Sequence, residues 1–447
     1  MKSLRMRGES ALTTAAGAPA ALGAGSARTS GFATGARRGQ ARSRPARVSG
    51  DVAAVDSRNL LMIAFDGGRW GSARLVKPLI EAGFRVAALC PSENPLAQTR
   101  FLDERFILTQ LRSSRRFEAR LAEVMRAWRP GLIVPCDERA VACLHAVVRR
   151  ARSGFKVGLT REAMQIIIAS LGNPDHFDQA LMKSDTLRLA RKLGLTIPDS
   201  ACVTSKAGAI AEAGRIGYPV YVKSSFSWSG NGVRLCRDAA EVAKAVDAAW
   251  PRRPTPLRDW LRRIVHRDWY PDRAPIDVQQ VICGKPAMTC AVAVGGRVLA
   301  SFAGVALQTC AANGPSSIAW IGPHVGMELA SAEMIAALGF TGFVGFDFMI
   351  DSQTGEHYLL ECNPRPVPMC HLGKRIGVDL CAALAAELSG GRHEPATVVG
   401  AETIVLFPNE WQRHPEGLAN TSHYIDIPFD DPPLLSSMVQ AAAARMR

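Results

Sequence analysis

Residues 342–366 run GFVGFDFMID-SQTG-EHYLLECNPRP, the alternation of a strand, a turn and a second strand. Successive strand residues point to opposite faces, so Val344, Phe346, Phe348 and Ile350 form one apolar face and Gly345, Asp347 and Met349 the other. On the second strand Glu361 and Asn363 share a face. A turn centred on Thr354 sets Asp347 opposite Glu361, with Cβ atoms roughly 4.5–5.5 Å apart. Carboxylates that close repel, and solvent, a proton on one of them or a cation between them can relieve the repulsion. Asn363 adds a neutral oxygen beside the acids. Two carboxylates and an amide oxygen are hard ligands, suited to Mg²⁺ or Mn²⁺ bridging phosphates and unsuited to Zn²⁺. Arg365, just beyond, offers a planar fork for phosphate or acyl-phosphate oxygens. An exposed hairpin with an incidental acid pair is the plain alternative.

Upstream, GYPVYVK at 217–223 is a short β-rich run leading into a serine- and glycine-containing loop at 224–233. Small residues let successive backbone N–H groups converge on an anion, with Ser225, Ser229, Gly230 and Gly232 as candidates. Lys223, at the entrance, supplies a point charge for phosphate; a surface hairpin fits the same residues. Residues 161–194 read as helices broken at Gly172-Asn173-Pro174, with Lys183 inside the second. Most helical lysines are solvated, so Lys183 alone carries little.

The apolar run at 59–65, bounded by Asp66-Gly67-Gly68, fits a strand buried on both faces. A helix from about Ser72 to Gly83, a strand at 84–89, a helix near 117–128 and a strand at 132–135 complete an open parallel sheet over 58–150. Gly67, Gly68 and Gly71 do not match the GxGxxG dinucleotide pattern and read as a tight turn before a helix. A small-molecule pocket at the carboxyl ends of these strands fits such a sheet. Residues 151–390 form the second domain, and 391–447, with a strand near 403–408 and a last helix, read as a small C-terminal cap.

The chain has 447 residues, 47% hydrophobic and 21% charged, enough for two to four packed units. Its formal charge of +14 is concentrated: residues 1–58 hold ten Lys/Arg against three acids, and the insert at 251–275 holds seven Arg against three Asp. A basic tail and one basic insert, without a zinc-finger or RNP pattern, argue against a nucleic-acid partner. Residues 1–57, poor in large apolar side chains, read as a disordered tail. Eleven cysteines without CxxC spacing fit the reduced thiols of a cytoplasmic protein. No apolar run approaches 18 residues, which excludes a membrane helix in this reading.

In order and spacing these features resemble the ATP-grasp superfamily over roughly 165–390, and 58–150 is similar to the sheet domain that commonly precedes such a unit. LLECNPRP at 359–366 is the more specific match and GYPVYVK at 217–223 the next. The resemblance implies an α/β and α+β architecture: an N-terminal parallel sheet domain, then a two-subdomain ATP-grasp fold. It implies ATP held between the subdomains, Lys183 and Lys223 on its phosphates, Mg²⁺ or Mn²⁺ on Asp347, Glu361 and Asn363, and Arg365 and Lys223 assisting catalysis. Residues 277–284 look like the adenine hinge, whose backbone groups would meet the edge of the base, with Gln280 and Ile282 the candidates. Gln280 stands where a Glu is common, and Pro286 where another Glu often contacts ribose. His371, Lys374 and Arg375, and the loop at 311–317, lie where a substrate carboxylate would dock. The implied activity is a ligase that activates a small-molecule carboxylate as an acyl phosphate for attack by an amine or similar nucleophile. A phosphotransferase on the same scaffold and a non-catalytic nucleotide binder are the alternatives, and a homo-oligomer is compatible with either.

Overall fold

The computed structural model describes residues 58–446 apart from 68–69, 110–113, 227–231, 251–256, 258–260, 262–273, 312–313, 392–398 and 419–420. The expected basic tail, most of the basic insert, and the loop positions Ser229 and Gly230 lie outside the described residues.

The first domain is built from β1 (Asn59–Ile63), α1 (Trp70–Glu81), β2 (Arg85–Cys90), α2 (Pro95–Gln98), β3 (Glu104–Ile107), α3 (Ser114–Trp128), β4 (Leu132–Pro135) and α4 (Glu138–Arg152). The strands lie in the order β3-β2-β1-β4, and every pair is parallel. A central parallel strand must satisfy an apolar layer on each side, and β1 does so residue by residue. Leu60 and Met62 pack with Leu75, Val76 and Leu79 of α1, while Leu61 and Ile63 pack with Phe117 and Leu121 of α3 and Leu144 of α4. The edge strand β3 was not expected from the sequence. Glu104, Arg105 and Ile107 are exposed, so it lacks the apolar run that announces a buried strand.

Helices α5 (Arg161–Leu171), α6 (Phe177–Leu181) and α7 (Lys183–Lys192) follow. The break at Gly172 is present, with φ at 92°. A second break at Met182, whose backbone is extended, makes Lys183 the first residue of α7 rather than an interior one. Next come β5 (Ser200–Val203), α8 (Lys206–Ile216), β6 (Val220–Ser224), β7 (Val233–Cys236), α9 (Ala239–Ala249) and β8 (Ile276–Gln280), which form an antiparallel sheet in the order β5-β8-β6-β7. Residues 281–283 then carry the chain directly into the largest sheet, as a hinge segment would.

That sheet runs β13-β12-β9-β10-β11-β14-β15. Its strands are β9 (Gly284–Val294), β10 (Arg297–Thr309), β11 (Ser316–Gly322), β12 (Gly342–Asp351), β13 (His357–Asn363), β14 (Glu402–Val405) and β15 (Tyr424–Ile425). Helix α10 (Val325–Leu338) covers one face, where Val344, Phe346 and Phe348 meet Met327, Met334 and Ile335. Helix α11 (Leu380–Leu388) covers the other, packing Leu380 and Leu384 with Cys290, Val292 and Phe302. The segment expected as a cap is not a separate layer. Its strands β14 and β15 extend this sheet, and after the short α12 (Asn409–Arg413) the final helix α13 (Pro432–Met446) sets Leu434 and Met438 against Ala73 of α1.

The hairpin register depends on a β-bulge. Near the turn Ile350 pairs with His357 and Phe348 with Leu359, yet the next pair is Asp347 with Glu361. Leu360 is the extra residue. Without it Asp347 would face Leu360, and Glu361 would turn to the opposite side of the sheet.

Domain contact is close where α1 begins. A Cβ added to Gly71 would lie 2.6 Å from Pro368 Cα, in the loop after β13. Helix propensity alone favours Ala over Gly by up to about 1 kcal/mol. The backbone contact reverses that sign: Gly71→Ala is expected to lower unfolding stability by roughly 1–3 kcal/mol in denaturant titration. An unchanged or raised midpoint would refute this packing.

Candidate functional site

Four elements bring the site together: β13 and β12 supply acids, the N-terminus of α7 supplies Lys183 and β6 supplies Lys223. Lys183 Nζ lies 2.6 Å from Glu361 Oε2. Its place is fixed by Ser225, which is fully buried. The Ser225 carbonyl accepts from Lys183 N at 3.0 Å, and its hydroxyl accepts from Ser184 N at 2.9 Å and bonds Ser184 Oγ at 2.6 Å. Ser225, expected on the phosphate, therefore anchors α7 to the end of β6, with its hydroxyl already engaged. Gly232, with φ at 82°, closes the same loop by accepting from Ser224 N at 3.2 Å.

Lys223 reaches across the small sheet to donate to Gln279 Oε1. Gln279 and Asp277, on alternate positions of β8, are almost fully buried and face the lysines, whereas Gln280 is exposed. The Gln280 side chain accepts from Asp199 N at 3.2 Å, at the outer edge of the sheet. The glutamine of β8 whose side chain points inward is thus Gln279, because the strand period assigns 277 and 279 to the same face. Ile282 lies partly buried in the connection between the sheets.

The electrostatics follow from enclosure. Burial first, and the Glu361 charge second, push the Asp347 carboxyl up to about 8. Burial alone would raise Glu361 too, but the Lys183 ammonium, a hydrogen bond from Asp347 and the Lys223 charge bring it down to about 2. Among the protein's own groups, a hydrogen bond between the raised Asp347 carboxyl and Glu361, together with Lys183 against Glu361, answers the repulsion. Lys183 is held above its ordinary value because the Glu361 charge outweighs the burial that would lower it. Burial and the neighbouring Lys183 charge lower Lys223 to about 8. Burial raises Asp277 to about 6.

Arg365 is buried. Its Nη2 donates to Glu138 Oε1 at 2.7 Å and to Asn363 Oδ1 at 3.0 Å, and its Nη1 to Pro366 O at 3.1 Å. Arg365 Nε, Asp277 Oδ2 and Gln279 Nε2 make no hydrogen bond. Buried polar atoms are nearly always partnered, so three such atoms around one cluster mark unspent capacity for a ligand. The donor set fits a hard divalent cation as well. Asp347, Glu361 and Asn363 all present oxygen, and Asp347 takes up a proton at neutral pH that a cation would displace.

His371, Lys374 and Arg375 lie elsewhere. They line a cavity of about 400 Å³ against α1 and the segment around Asp426, and none of the residues of the lysine–carboxylate cluster lines it. Each is taken up by a partner: His371 Nε2 lies 2.9 Å from Asp426 Oδ2, Lys374 Nζ donates to Glu81 at 3.0 Å, and Arg375 pairs with Glu402 at 2.6 Å. Arg375 also stacks 3.5 Å over Tyr424. All three sit on the 3-10 helix at Cys370–Ile376, and the cavity they line shares no residue with the lysine–carboxylate cluster. Glu138, missed from the sequence, belongs to the site. The available signal was a run of charges, Asp137-Glu138-Arg139, directly after a buried strand.

Comparison with known proteins agrees with this geometry. The family model of the carbamoyl-phosphate synthase L chain, ATP binding domain, matches residues 183–256, beginning at Lys183 itself. The carbamoyl phosphate synthase large chain of Halobacterium salinarum is 27% identical over 230 residues, 48% of this chain and 20% of that protein. The chain thus spans about a fifth of the length of that relative. Among solved structures, the biotin carboxylase domain of Hydrogenobacter thermophilus 2-oxoglutarate carboxylase, a dimer in complex with MgADP, ADP and bicarbonate, superposes with a TM-score of 0.55 at 16% identity, covering 77% of this chain and 73% of that one. N5-carboxyaminoimidazole synthetase from Staphylococcus aureus gives 0.52 at 12% identity, over 77% and 81%. These likenesses show the fold, an ATP-grasp fold preceded by a parallel-sheet domain. Among the described residues no helix is long and apolar enough to cross a membrane.

The acid pair yields a stability test. As pH rises from the ordinary Asp value of 3.8 towards 8, the unfolded chain gives up a proton that folded Asp347 retains, so folded stability falls across that window. Glu361 contributes in the opposite sense, but its loss occurs below its ordinary value of 4.5, outside the range between pH 5 and pH 8. In EDTA, Asp347→Asn is therefore expected to melt above the parent at pH 8 and to lose most of that advantage at pH 5, while Mg²⁺ raises the melting temperature of the parent alone. A constant difference at both pH values would remove the shared proton from the account.

Proposed function

We propose that the protein is an ATP-dependent ligase that activates a small-molecule carboxylate. The observation that carries this reading is the pair Asp347–Glu361 set between Lys183 and Lys223, with Asn363 and Arg365 beside them. In the proposed reaction a substrate carboxylate oxygen attacks the γ-phosphorus of ATP, the bond to the β–γ bridging oxygen breaks, and ADP leaves. An amine or similar nucleophile then attacks the acyl carbon, phosphate departs, and the nucleophile gives up its proton.

Phosphoryl transfer asks a protein for positioning and charge neutralisation more than for covalent chemistry. A divalent cation held by Asp347, Glu361 and Asn363 would supply charge neutralisation at the phosphate oxygens. Lys183 and Lys223 hold the triphosphate. Lys223, with its affinity for a proton reduced by burial, gains most from an anionic partner. Gln279 Nε2, unpartnered on the same wall, has a donor to offer the base or ribose. The anchoring of Lys183 through Ser225 keeps its ammonium placed without further ordering when nucleotide enters. Support for the carboxylate ligase class comes from the neighbours named above, a biotin carboxylase domain in complex with MgADP and bicarbonate and an N5-carboxyaminoimidazole synthetase of the same fold.

The test is ADP release with Mg²⁺ and a panel of carboxylates, with and without amines, and with hydroxylamine to trap an acyl phosphate as its hydroxamate. Acid-dependent ADP release with hydroxamate is expected, and Glu361→Gln is expected to lower turnover by about 100-fold or more. Phosphorylated product that hydroxylamine does not capture would move the reading to a phosphotransferase. Undiminished turnover in Glu361→Gln would dismiss the site.

A further inference from the structure

Glu138 begins α4 in the parallel-sheet domain, 227 residues from Arg365, yet the two meet at 2.7 Å with both side chains buried. The Arg365 nitrogen that donates to Glu138 Oε1 also donates to Asn363 Oδ1, so one Nη2 joins the two domains through two acceptors. Arg365 is held at three points in all, the third being Pro366 O, and Glu138 is the only one of them that carries charge.

Glu138 is itself firmly placed. Asp137, just before it, caps α4 by accepting from Ala140 N at 2.8 Å. The other oxygen of Asp137 accepts from Phe65 N at 2.5 Å and Asp66 N at 2.9 Å, at the carboxyl end of β1. Arg139, just after, pairs with Asp66 at 2.7 Å. The two residues flanking Glu138 thus tie the ends of β1 and β4 together and leave the Glu138 carboxylate directed at the arginine. Its charge also acts on Lys183, which it helps to keep protonated.

We propose that Glu138 is a positioning residue for phosphoryl transfer: its carboxylate fixes the Arg365 guanidinium, and through it the Asn363 amide oxygen, so that the N-terminal domain completes the catalytic site. This rests on the function proposed above. Asn363 Oδ1 has two lone pairs; Arg365 takes one, and the other remains for a cation, with the amide plane set by the first. A buried guanidinium deprived of its carboxylate turns to the next anion within reach, and here that is the nucleotide triphosphate or the acid pair itself. Substrate binding is then preserved while the arrangement needed in the transition state is lost. Outer partners of metal-ligating groups commonly act in this way.

The test uses the full chain and three readouts: melting temperature, MgATP affinity by calorimetry, and Mn²⁺ affinity of the ATP complex by electron paramagnetic resonance, alongside ADP turnover. Glu138→Gln is expected to bind MgATP within about threefold of the parent, to melt within a few degrees of it, and to lose about 10- to 100-fold in turnover with a parallel loss in Mn²⁺ affinity. Glu138→Asp should recover part of both. Should Glu138→Gln fail to fold, Glu138→Asp, Arg365→Lys and their combination decide the matter: the double variant is expected to be no worse than the poorer single one. Additive losses would overturn the proposal. So would turnover and Mn²⁺ affinity within twofold of the parent in Glu138→Gln, or full recovery of activity in Glu138→Gln/Arg365→Met, which would make the pair a plain salt bridge. A parent that binds no nucleotide overturns this inference together with the proposed function. A parent that binds MgATP without releasing ADP leaves the Mn²⁺ measurement to decide Glu138 alone.

Discussion

Two carboxylates held face to face on neighbouring strands are the constraint to which the surrounding structure answers. Asp347 and Glu361 cannot both be charged at that separation without a counter-charge; the Lys183 ammonium beside Glu361 supplies one, and burial beside that charge raises Asp347. The cost is borne by the hairpin's far face, where Phe346 and Phe348 are fully enclosed by α10 and hold the strand in place. A rigid hydrophobic layer behind a strained polar one lets the polar groups keep an arrangement they would not choose in water.

The cations around the pair are anchored in different ways, and the difference matters chemically. Lys183 is fixed by backbone and hydroxyl contacts at the start of a helix, while Lys223 extends from a strand, donating to the neutral Gln279 amide and lying over the Tyr221 ring. The first faces a carboxylate of the protein, and the second does not make an ion pair of its own among the described residues. Arg365 is different again, committed to a carboxylate from another domain. The cavity beside α1 has the opposite character: Arg74 of α1 pairs there with Asp426 of the C-terminal segment, and Lys374 with Glu81.

Period-two alternation made the hairpin legible, and the same rule applied to β8 would have chosen Gln279 over Gln280. The parallel sheet was legible because a strand buried on both sides must be continuously apolar, which β1 is and the edge strand β3 is not. Placement of the charged residues was harder to read. His371, Lys374 and Arg375 follow β13 closely in sequence, but their partners Asp426, Glu81 and Glu402 come from three other segments, and local pattern says nothing about those. Glu138 was hidden for the same reason, its partner being 227 residues away. Local periodicity reports which face a residue occupies; which charge it meets is decided by topology.

The single bulge residue at Leu360 bears on how this hairpin can vary. Because adjacent strand positions alternate sides, the count of residues separating the two acids behaves as a parity. The tip around Ser352-Gln353-Thr354-Gly355 can be lengthened or shortened only in steps that keep that parity, or with a compensating slip elsewhere on the ladder. A lone insertion or deletion between them would leave both strands intact by composition and still send one acid into the oily side of the sheet.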